Sequence, residues 1–381
     1  MKSNYKRIGD YIQLVDERNN GLKVKQLLGL SISKQFIPSV ANIIGTDMEN
    51  YKIIRKNQFA CSTMQVRRDK KMPIALLEEV NEAIISQAYP IFEVKDKTEL
   101  IPEYLMMWFS RAEFDREACF NAVGGVRGSL EWEDFENMQL PVPSITKQKE
   151  IVAEYNTIQN RIKLNEKLIQ KLEETAQAVY REWFVEGIDL ENLPEGWFPK
   201  SFTECVKLSG GGTPDTSNQT FWNGKIPFFT PADVSNGYYS IKTEKTISER
   251  GLNNSSTKLY PKNTVFVTAR GTVGAISIAG CNMAMNQSCY AITGKHRFYC
   301  HQLTIHTMAD LKNEAVGAVF GALVTKDFDS QIVIDPPIEL KEKFDKEISN
   351  IYNYLLSKTK ENQKLTELKD LLLSRLATVE N

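Results

Sequence analysis

IVAEYNTIQNRIKLNEKLIQKLEETAQAVYREW, residues 151–183, has no glycine or proline, and its seam positions return every 3.5 residues. Ile151, Tyr155, Ile158, Ile162, Asn165, Ile169, Leu172, Ala176, Val179 and Trp183 step 4-3-4-3 along it. A sustained 3.5-residue period predicts a left-handed coiled coil rather than a surface helix, so the stretch needs a helical partner. The same chain supplies one. Adding 193 to each position gives Phe344, Ile348, Ile351, Leu355, Lys358, Asn362, Leu365, Lys369, Leu372 and Leu376, within a second segment free of glycine and proline. This second stripe is interrupted by polar residues, and Leu368 and Leu371 are expected to fill in partly beside them. Asn165 and Lys358 break both seams at the equivalent point. A polar residue there lowers stability but can fix register.

The same offset of 193 continues upstream. Gly128, Leu130, Asp134, Phe135 and Pro143 recur as Gly321, Leu323, Asp327, Phe328 and Pro336. Earlier still the match loosens: Tyr51 and Lys56-Asn57 have counterparts in Tyr260 and Lys262-Asn263, and Ser86-Gln87-Ala88-Tyr89 resembles Asn286-Gln287-Ser288-Cys289-Tyr290. The simplest reading is a duplicated unit: a globular domain over 1–143, a long helix over 144–186, a second domain over 187–337 and a second helix over 338–381. The domains read as strand-rich. LKVKQLLGLSIS (22–33), KIIRKNQFACSTMQV (52–66), KIPFFTP (225–231), NTVFVTARG (263–271) and AISIAG (275–280) alternate or carry β-formers. SGGGTPDTSNQ (209–219) and RGLNNSS (250–256) punctuate them as loops. Short helices are expected near 101–119 and 299–315. The fold class is α+β, with the two long helices pairing as an antiparallel coiled coil.

Composition adds bounds. Apolar and charged fractions of 42% and 25% are those of a globular chain, and no apolar run approaches a membrane span. The start, MKSNYKRIGDYIQL, has no signal-like apolar core, so the chain is expected in the cytosol. The net charge of −1 argues against a uniformly basic nucleic-acid binder, but charge is segregated. Lys52, Arg55, Lys56, Arg67, Arg68, Lys70 and Lys71 face Asp69 alone between 51 and 71, and the stretch to 99 is acidic. One face can then attract phosphate while another stays acidic. Cys281, Cys289, Cys300 and His301 crowd one stretch, but buried thiols are a better reading than zinc ligands. No catalytic motif is present, and His296, His301 and His306, five residues apart, share no helical face.

In this order, several fragments resemble type I restriction–modification specificity subunits over essentially the whole length. Leu193-Pro194-Glu195-Gly196-Trp197 looks like that family's domain entry. Gly211-Gly212-Thr213-Pro214 followed by Phe221-Trp222-Asn223-Gly224-Lys225-Ile226-Pro227 is similar to its Gly-Gly-Thr-Pro…Tyr-Trp…Gly…Ile-Pro signature, and Ala269-Arg270-Gly271-Thr272-Val273-Gly274 with Asn286-Gln287 completes it. In the first half, Phe36-Ile37-Pro38…Gly45…Tyr51-Lys52…Asn57…Phe59 resembles another variant of the domain. The first half lacks the Leu-Pro-Glu-Gly-Trp entry and the Gly-Gly-Thr-Pro loop, so the two domains should read different bases. The resemblance implies a subunit without catalysis or a bound cofactor of its own. Its implied partners are double-stranded DNA, two S-adenosylmethionine-dependent adenine methyltransferase subunits and a motor-nuclease restriction subunit. An adaptor that binds only proteins through its coiled coil is the alternative.

Contacts with DNA divide into phosphate positioning and base reading. Lys52, Arg55 and Lys56 look like positioning charges. Arg67, Arg68, Lys70 and Lys71 fall in an expected turn between strands, where guanidinium forks can reach guanine edges. Gln65 and Gln87 are amide candidates for adenine, and Arg127 is a further loop cation. In the second half Arg270, on Ala-Arg-Gly-Thr, is the best candidate. Thr213, Asn218, Trp222, Thr272, Asn286 and Gln287 are weaker ones. A helix over 151–183 would be about 50 Å long at ~1.5 Å per residue, against roughly 34–36 Å for a turn of DNA, so the helices are expected to set the unread spacer. Asp335-Pro336-Pro337-Ile338 resembles the Asp/Asn-Pro-Pro-aromatic motif of adenine methyltransferases but lacks the aromatic residue. Its prolines read better as the end of a strand and the start of the long helix.

Overall fold

A computed structural model describes residues 5–39, 46–124, 128–235, 237–314 and 321–379. The chain divides into two compact units, Met1–Arg161 with Leu365–Asn381, and Ile162–Lys364. The division falls inside both long helices, so each unit owns a stretch of each.

In the first unit, strand β1 (Tyr5–Arg7) leads through helix α1 (Ile8–Tyr11) into β2 (Ile12–Val15), followed by a hairpin of β3 (Leu28–Leu30) and β4 (Phe36–Pro38). Then come β5 (Lys52–Arg55), β6 (Phe59–Cys61), the one-turn helix α2 (Val66–Asp69), β7 (Ile74–Leu76), β8 (Glu82–Ile85) and β9 (Ile91–Val94). Helices α3 (Pro102–Phe109), α4 (Ala112–Asn121) and α5 (Trp132–Asn137) and strand β10 (Gln139–Pro141) precede the 40-residue helix α6 (Ile145–Phe184). An antiparallel sheet runs β2-β9-β6-β7, and β10 pairs with β1. Both faces of β6 are covered, which is why Phe59, Ala60 and Cys61 are all buried. Phe59 and Cys61 face an aromatic cluster with Phe92, Phe109, Phe114 and Phe135, while Ala60 faces Ile54, Ile85 and Ile91.

The second unit repeats the plan. It contains β11 (Phe198–Ser201), helix α7 (Phe202–Cys205), β12 (Lys207–Gly210), β13 (Trp222–Phe229), β14 (Tyr239–Ser240), β15 (Lys245–Ile247) and helix α8 (Glu249–Asn253). Next are β16 (Val265–Thr268), β17 (Ile276–Ala279), β18 (Ala284–Met285), β19 (Cys289–Thr293), helices α9 (Arg297–Glu314) and α10 (Thr325–Asp329), β20 (Ile332–Asp335) and the long helix α11 (Ile338–Arg375). The main sheet runs β12-β19-β16-β17-β14, and β11 pairs with β20. Val265 and Val267 of β16 face one cluster and Phe266 another, as in β6. The kinship therefore reaches the first strands: Tyr5 and Gln139 begin β1 and β10, and Phe198 and Ile332, 193 residues on, begin β11 and β20. In sequence the resemblance is tight only toward the C-terminal end of each half and looser before it. Part of RGLNNSS, expected as loop, is helix α8, whose N-cap Ser248 accepts a hydrogen bond from the Gly251 amide.

The helix seams are built within each unit. In the second, Ala176, Tyr180 and Phe184 of α6 share a buried cluster with Phe344, Ile348, Tyr352 and Leu355 of α11, and Ile169, Leu172, Val179, Trp183 and Ile351 pack half-buried against it. Ile162 is also buried, and the Asn165 amide donates to the Asn362 amide oxygen at 2.9 Å. Early α6 thus meets late α11, the antiparallel sense. Lys358 is buried along its stem and bonds Glu361 at 2.7 Å. In the first unit Ile151, Val152 and Tyr155 pack against the core that holds Leu373 and Leu376, Ile158 is buried, and Leu365 and Leu372 are half-buried. Leu368 and Leu371 do not fill the stripe as expected. They are 45% and 58% exposed, and Leu373 takes the inward place. The buried Arg111 donates to the Leu373 carbonyl at 3.0 Å, a cation at the carbonyl end of α11.

Cys281 and Cys289 lie at one apolar cluster and Cys300 in another, and among the described residues no three His, Cys, Asp or Glu side chains gather as metal ligands. His301 shares a 2.7 Å hydrogen bond with the Tyr352 hydroxyl, and burial pushes its pKa down to about 3, so it is neutral. Asp335 is held in ion pairs with Lys200 and Lys341, and α11 begins just after Pro336-Pro337. Among the described residues no helix is long and apolar enough to cross a membrane.

Candidate nucleic-acid interface

Strand register determines which loops meet. In the second unit Gly210 pairs with Tyr290 and Thr268 with Cys289, so the loops after β12 and β16 and the loop before β19 leave the same end of the sheet. Backbone bonds tie them together: Ala269 N–H to the Ser288 carbonyl at 2.7 Å, Gly212 N–H to Met285 at 3.2 Å, and Asn286 N–H to Phe229 at 3.0 Å. The paired glycines are required by this approach. A Cβ on Gly211 would lie 2.0 Å from the Asn286 carbonyl oxygen, and one on Gly212 would lie 2.1 Å from Ser256 Oγ.

On that platform the predicted residues Thr213, Arg270, Thr272, Asn286 and Gln287 come together. The Thr213 hydroxyl donates to the Gln287 amide oxygen. Arg270 is exposed and has no hydrogen bond or ion pair among the described residues. The turn behind it is braced, because the Thr268 hydroxyl donates to the Thr272 carbonyl and the Thr268 carbonyl accepts from Gly274 N–H at 2.8 Å. A free guanidinium on a rigid turn is what bidentate base reading needs. Asn286 spends its side-chain oxygen on Ser288 N–H at 3.0 Å. Asn218 caps the short turn Gln219–Phe221 through Thr220, and Trp222 donates to the Asp215 carbonyl and packs edge-on against Phe228. These last two hold the loop's shape.

The first unit places its candidates at the matching sheet end, since Cys61 N–H donates to the Pro90 carbonyl at 3.1 Å and so joins the loop after β6 to the loop before β9. The expected turn is instead the single helical turn α2, with Gln65 and Lys70 on either side in the left-handed conformation at φ 62° and 51°. Arg67 donates to the Gly124 carbonyl at 3.1 Å, which commits one end of its fork. Arg68 makes two bonds to Asp69, at 2.6 and 3.0 Å, and that hydrogen-bonded guanidinium holds the Asp69 carboxyl below the usual range. Lys70 and Lys71 are exposed and without an ion pair among the described residues. Gln87 is exposed and touches Arg18 at 3.5 Å. Two of the expected positioning charges are already neutralised: Arg55 pairs with Glu17 and Glu82, and Lys52 reaches Asp16 at 3.6 Å. Arg127 lies outside the described residues.

Sequence reasoning missed what anchors this turn. The buried Asp115 carboxylate accepts from Met72 N–H at 3.1 Å and from Lys34 Nζ at 2.8 Å, and Lys34 also donates to the Phe109 carbonyl. Burial pushes the Lys34 pKa down, against the pull of Asp115. The partners are 81 residues apart, and no local pattern signals them.

The family described as the type I restriction modification DNA specificity domain matches the chain twice, at residues 40–174 and 194–370. The type I restriction enzyme HindI specificity subunit of Haemophilus influenzae is 22% identical, covering 88% of this chain and 89% of its own. The MjaIX specificity subunit of Methanocaldococcus jannaschii is 26% identical over 47% of this chain and 43% of its own. Among solved structures, the type I restriction–modification S subunit from M. genitalium superposes with a TM-score of 0.59 at 14% identity, over 99% of this chain and 96% of that one.

Proposed function

The chain belongs to the type I restriction–modification DNA specificity family, and we propose that its two units read the two halves of a split, asymmetric duplex site for the subunits that carry out the chemistry. The partners in this reading are two adenine-N6 methyltransferase subunits and a motor-nuclease subunit, all acting on cytoplasmic DNA. S-adenosylmethionine and the flipped adenine belong to the methyltransferases, and this chain binds no cofactor. Recognition is its whole contribution.

One observation carries the proposal. Four strands share one order in both units, β2-β9-β6-β7 and β12-β19-β16-β17, each sheet gathers loops at the corresponding end of its own strands, and those loops present unpaired cations of different identity: Lys70 and Lys71 in one unit, Arg270 in the other. Shared frames with different readers suit a site whose halves differ in sequence. The test is to co-express the chain with its methyltransferase and map N6-methyladenine. Methylation at one split sequence is expected, together with DNA binding by the complex that weakens steeply with salt. A methylation pattern unchanged by deleting this chain would refute the reading.

A further inference from the structure

Between its first sheet strand and the next large strand pair, each unit carries an inserted segment. In the second unit it is the Gly211–Asn218 loop, which brings Thr213 to the reading end. In the first unit the corresponding interval, between β2 and β5, holds the β3–β4 hairpin. Its tip, Ser31–Gln35, is self-braced. Ser31 N–H donates to the Gln35 carbonyl at 3.0 Å, Lys34 N–H donates to Ser31 at 3.0 Å, and the Ser31 and Ser33 hydroxyls share a 2.8 Å bond. Lys34 turns inward from this tip, its ammonium over the Phe114 ring, and meets the same Asp115 oxygen that accepts from Met72 N–H. Met72 directly follows Lys70-Lys71, so one carboxylate fastens the hairpin tip beside the cationic turn. With its charge matched in the interior, Lys34 is a peg rather than a phosphate contact. The residues on either side of it, Ser33 and Gln35, are exposed, and the Gln35 side-chain amide makes no hydrogen bond among the described residues.

We infer that this hairpin tip is a second reading loop of the first unit, with Gln35 and Ser33 contacting base edges of the half-site that the cationic turn addresses. The inference rests on the functional reading above. An amide can bond adenine at two points, and a hydroxyl is less selective, so Gln35 should carry most of the discrimination. A braced, pegged tip loses little conformational freedom on contact, which favours specificity over mere attraction.

The full chain in complex with its methyltransferase is assayed on the cognate duplex and on duplexes bearing each single-base change. Arg270→Ala first identifies the half read by the second unit. The variant Gln35→Ala, whose side chain takes no part in the bracing, is expected to keep the wild-type Tm and the discrimination at that half. At one or two positions of the other half it should lose about ten-fold in discrimination. Full discrimination retained at every position overturns the hairpin's role while leaving the functional reading intact. A wild-type complex with no sequence preference overturns that reading and takes this inference with it.

Discussion

Four strands run β2-β9-β6-β7 in one unit and β12-β19-β16-β17 in the other, where β14 adds a fifth, yet the loops proposed as readers are braced by different means. In the second unit the bracing is backbone to backbone through Gly211 and Gly212, and Arg270 is left free. In the first unit it is side chain to backbone, through Asp115, Lys34 and Arg67, and two of the turn's cations are partly spent on the protein itself. The buried strands take small or apolar side chains because both faces are packed, whereas the loops at one end tolerate wider replacement. Divergence between the duplicated units reaches the packed strands as well, Phe59-Ala60-Cys61 of β6 against Val265-Phe266-Val267 of β16, while the strand order is kept.

The largest contrast to test is in the helix seams. Phe344 is fully buried, while Ile151, its counterpart 193 residues earlier, is half-buried. Phe344→Ala should cost about 3–5 kcal/mol and Ile151→Ala roughly 1–2 kcal/mol, measured by equilibrium unfolding in urea. Equal costs would mean that the two seam positions are not packed as differently as described. Next in size is recognition. Arg270→Ala should lose on the order of ten- to a hundred-fold discrimination at one half-site. Arg68→Ala should change the other half much less, because its guanidinium is already held by two hydrogen bonds to Asp69. A larger effect for Arg68 would show that its pairing with Asp69 is given up on DNA.

The smallest effect concerns pH. Burial raises the Glu173 pKa to about 7, despite the hydrogen bond from Tyr238 N–H. The folded protein therefore binds a proton there that the unfolded chain releases near its ordinary 4.5. This contribution to stability is fully present below the unfolded value and is lost as pH rises through about 7. Glu173→Gln should accordingly have a higher Tm than the wild type at pH 8, with the gap closing by pH 5. A gap that does not vary with pH would show that Glu173 titrates normally.

Much of this was legible in sequence because it is periodic or local. The 4-3-4-3 stripe located both long helices, and the motif around Arg270 put that residue on a turn. The shared offset of 193 identified the repeat, although the short strands β1 and β11 share only an aromatic at their first residue and a cation at their third, and were missed. The outward turn of Leu368 and Leu371 was misread because apolar character alone does not say which of two adjacent stripes is filled. The Lys34–Asp115–Met72 anchor was invisible for another reason. It joins a hairpin, a helix and a loop, and only the folded backbone brings them within bonding distance. The neutralising partner of Arg68 is the very next residue, so that pairing is legible in the sequence.

The first unit is not contiguous: its core includes Leu373 and Leu376, and Arg111 is satisfied by the Leu373 carbonyl. A ribosome delivers those residues only after the whole of the second unit's sequence. While the middle of the chain emerges, the N-terminal sheet waits with an open flank and with Arg111 lacking its Leu373 acceptor, so the lobe begun first is completed only after the second unit's sequence has been made. A stop codon shortly before Leu373 would therefore damage the lobe whose own gene segment is intact.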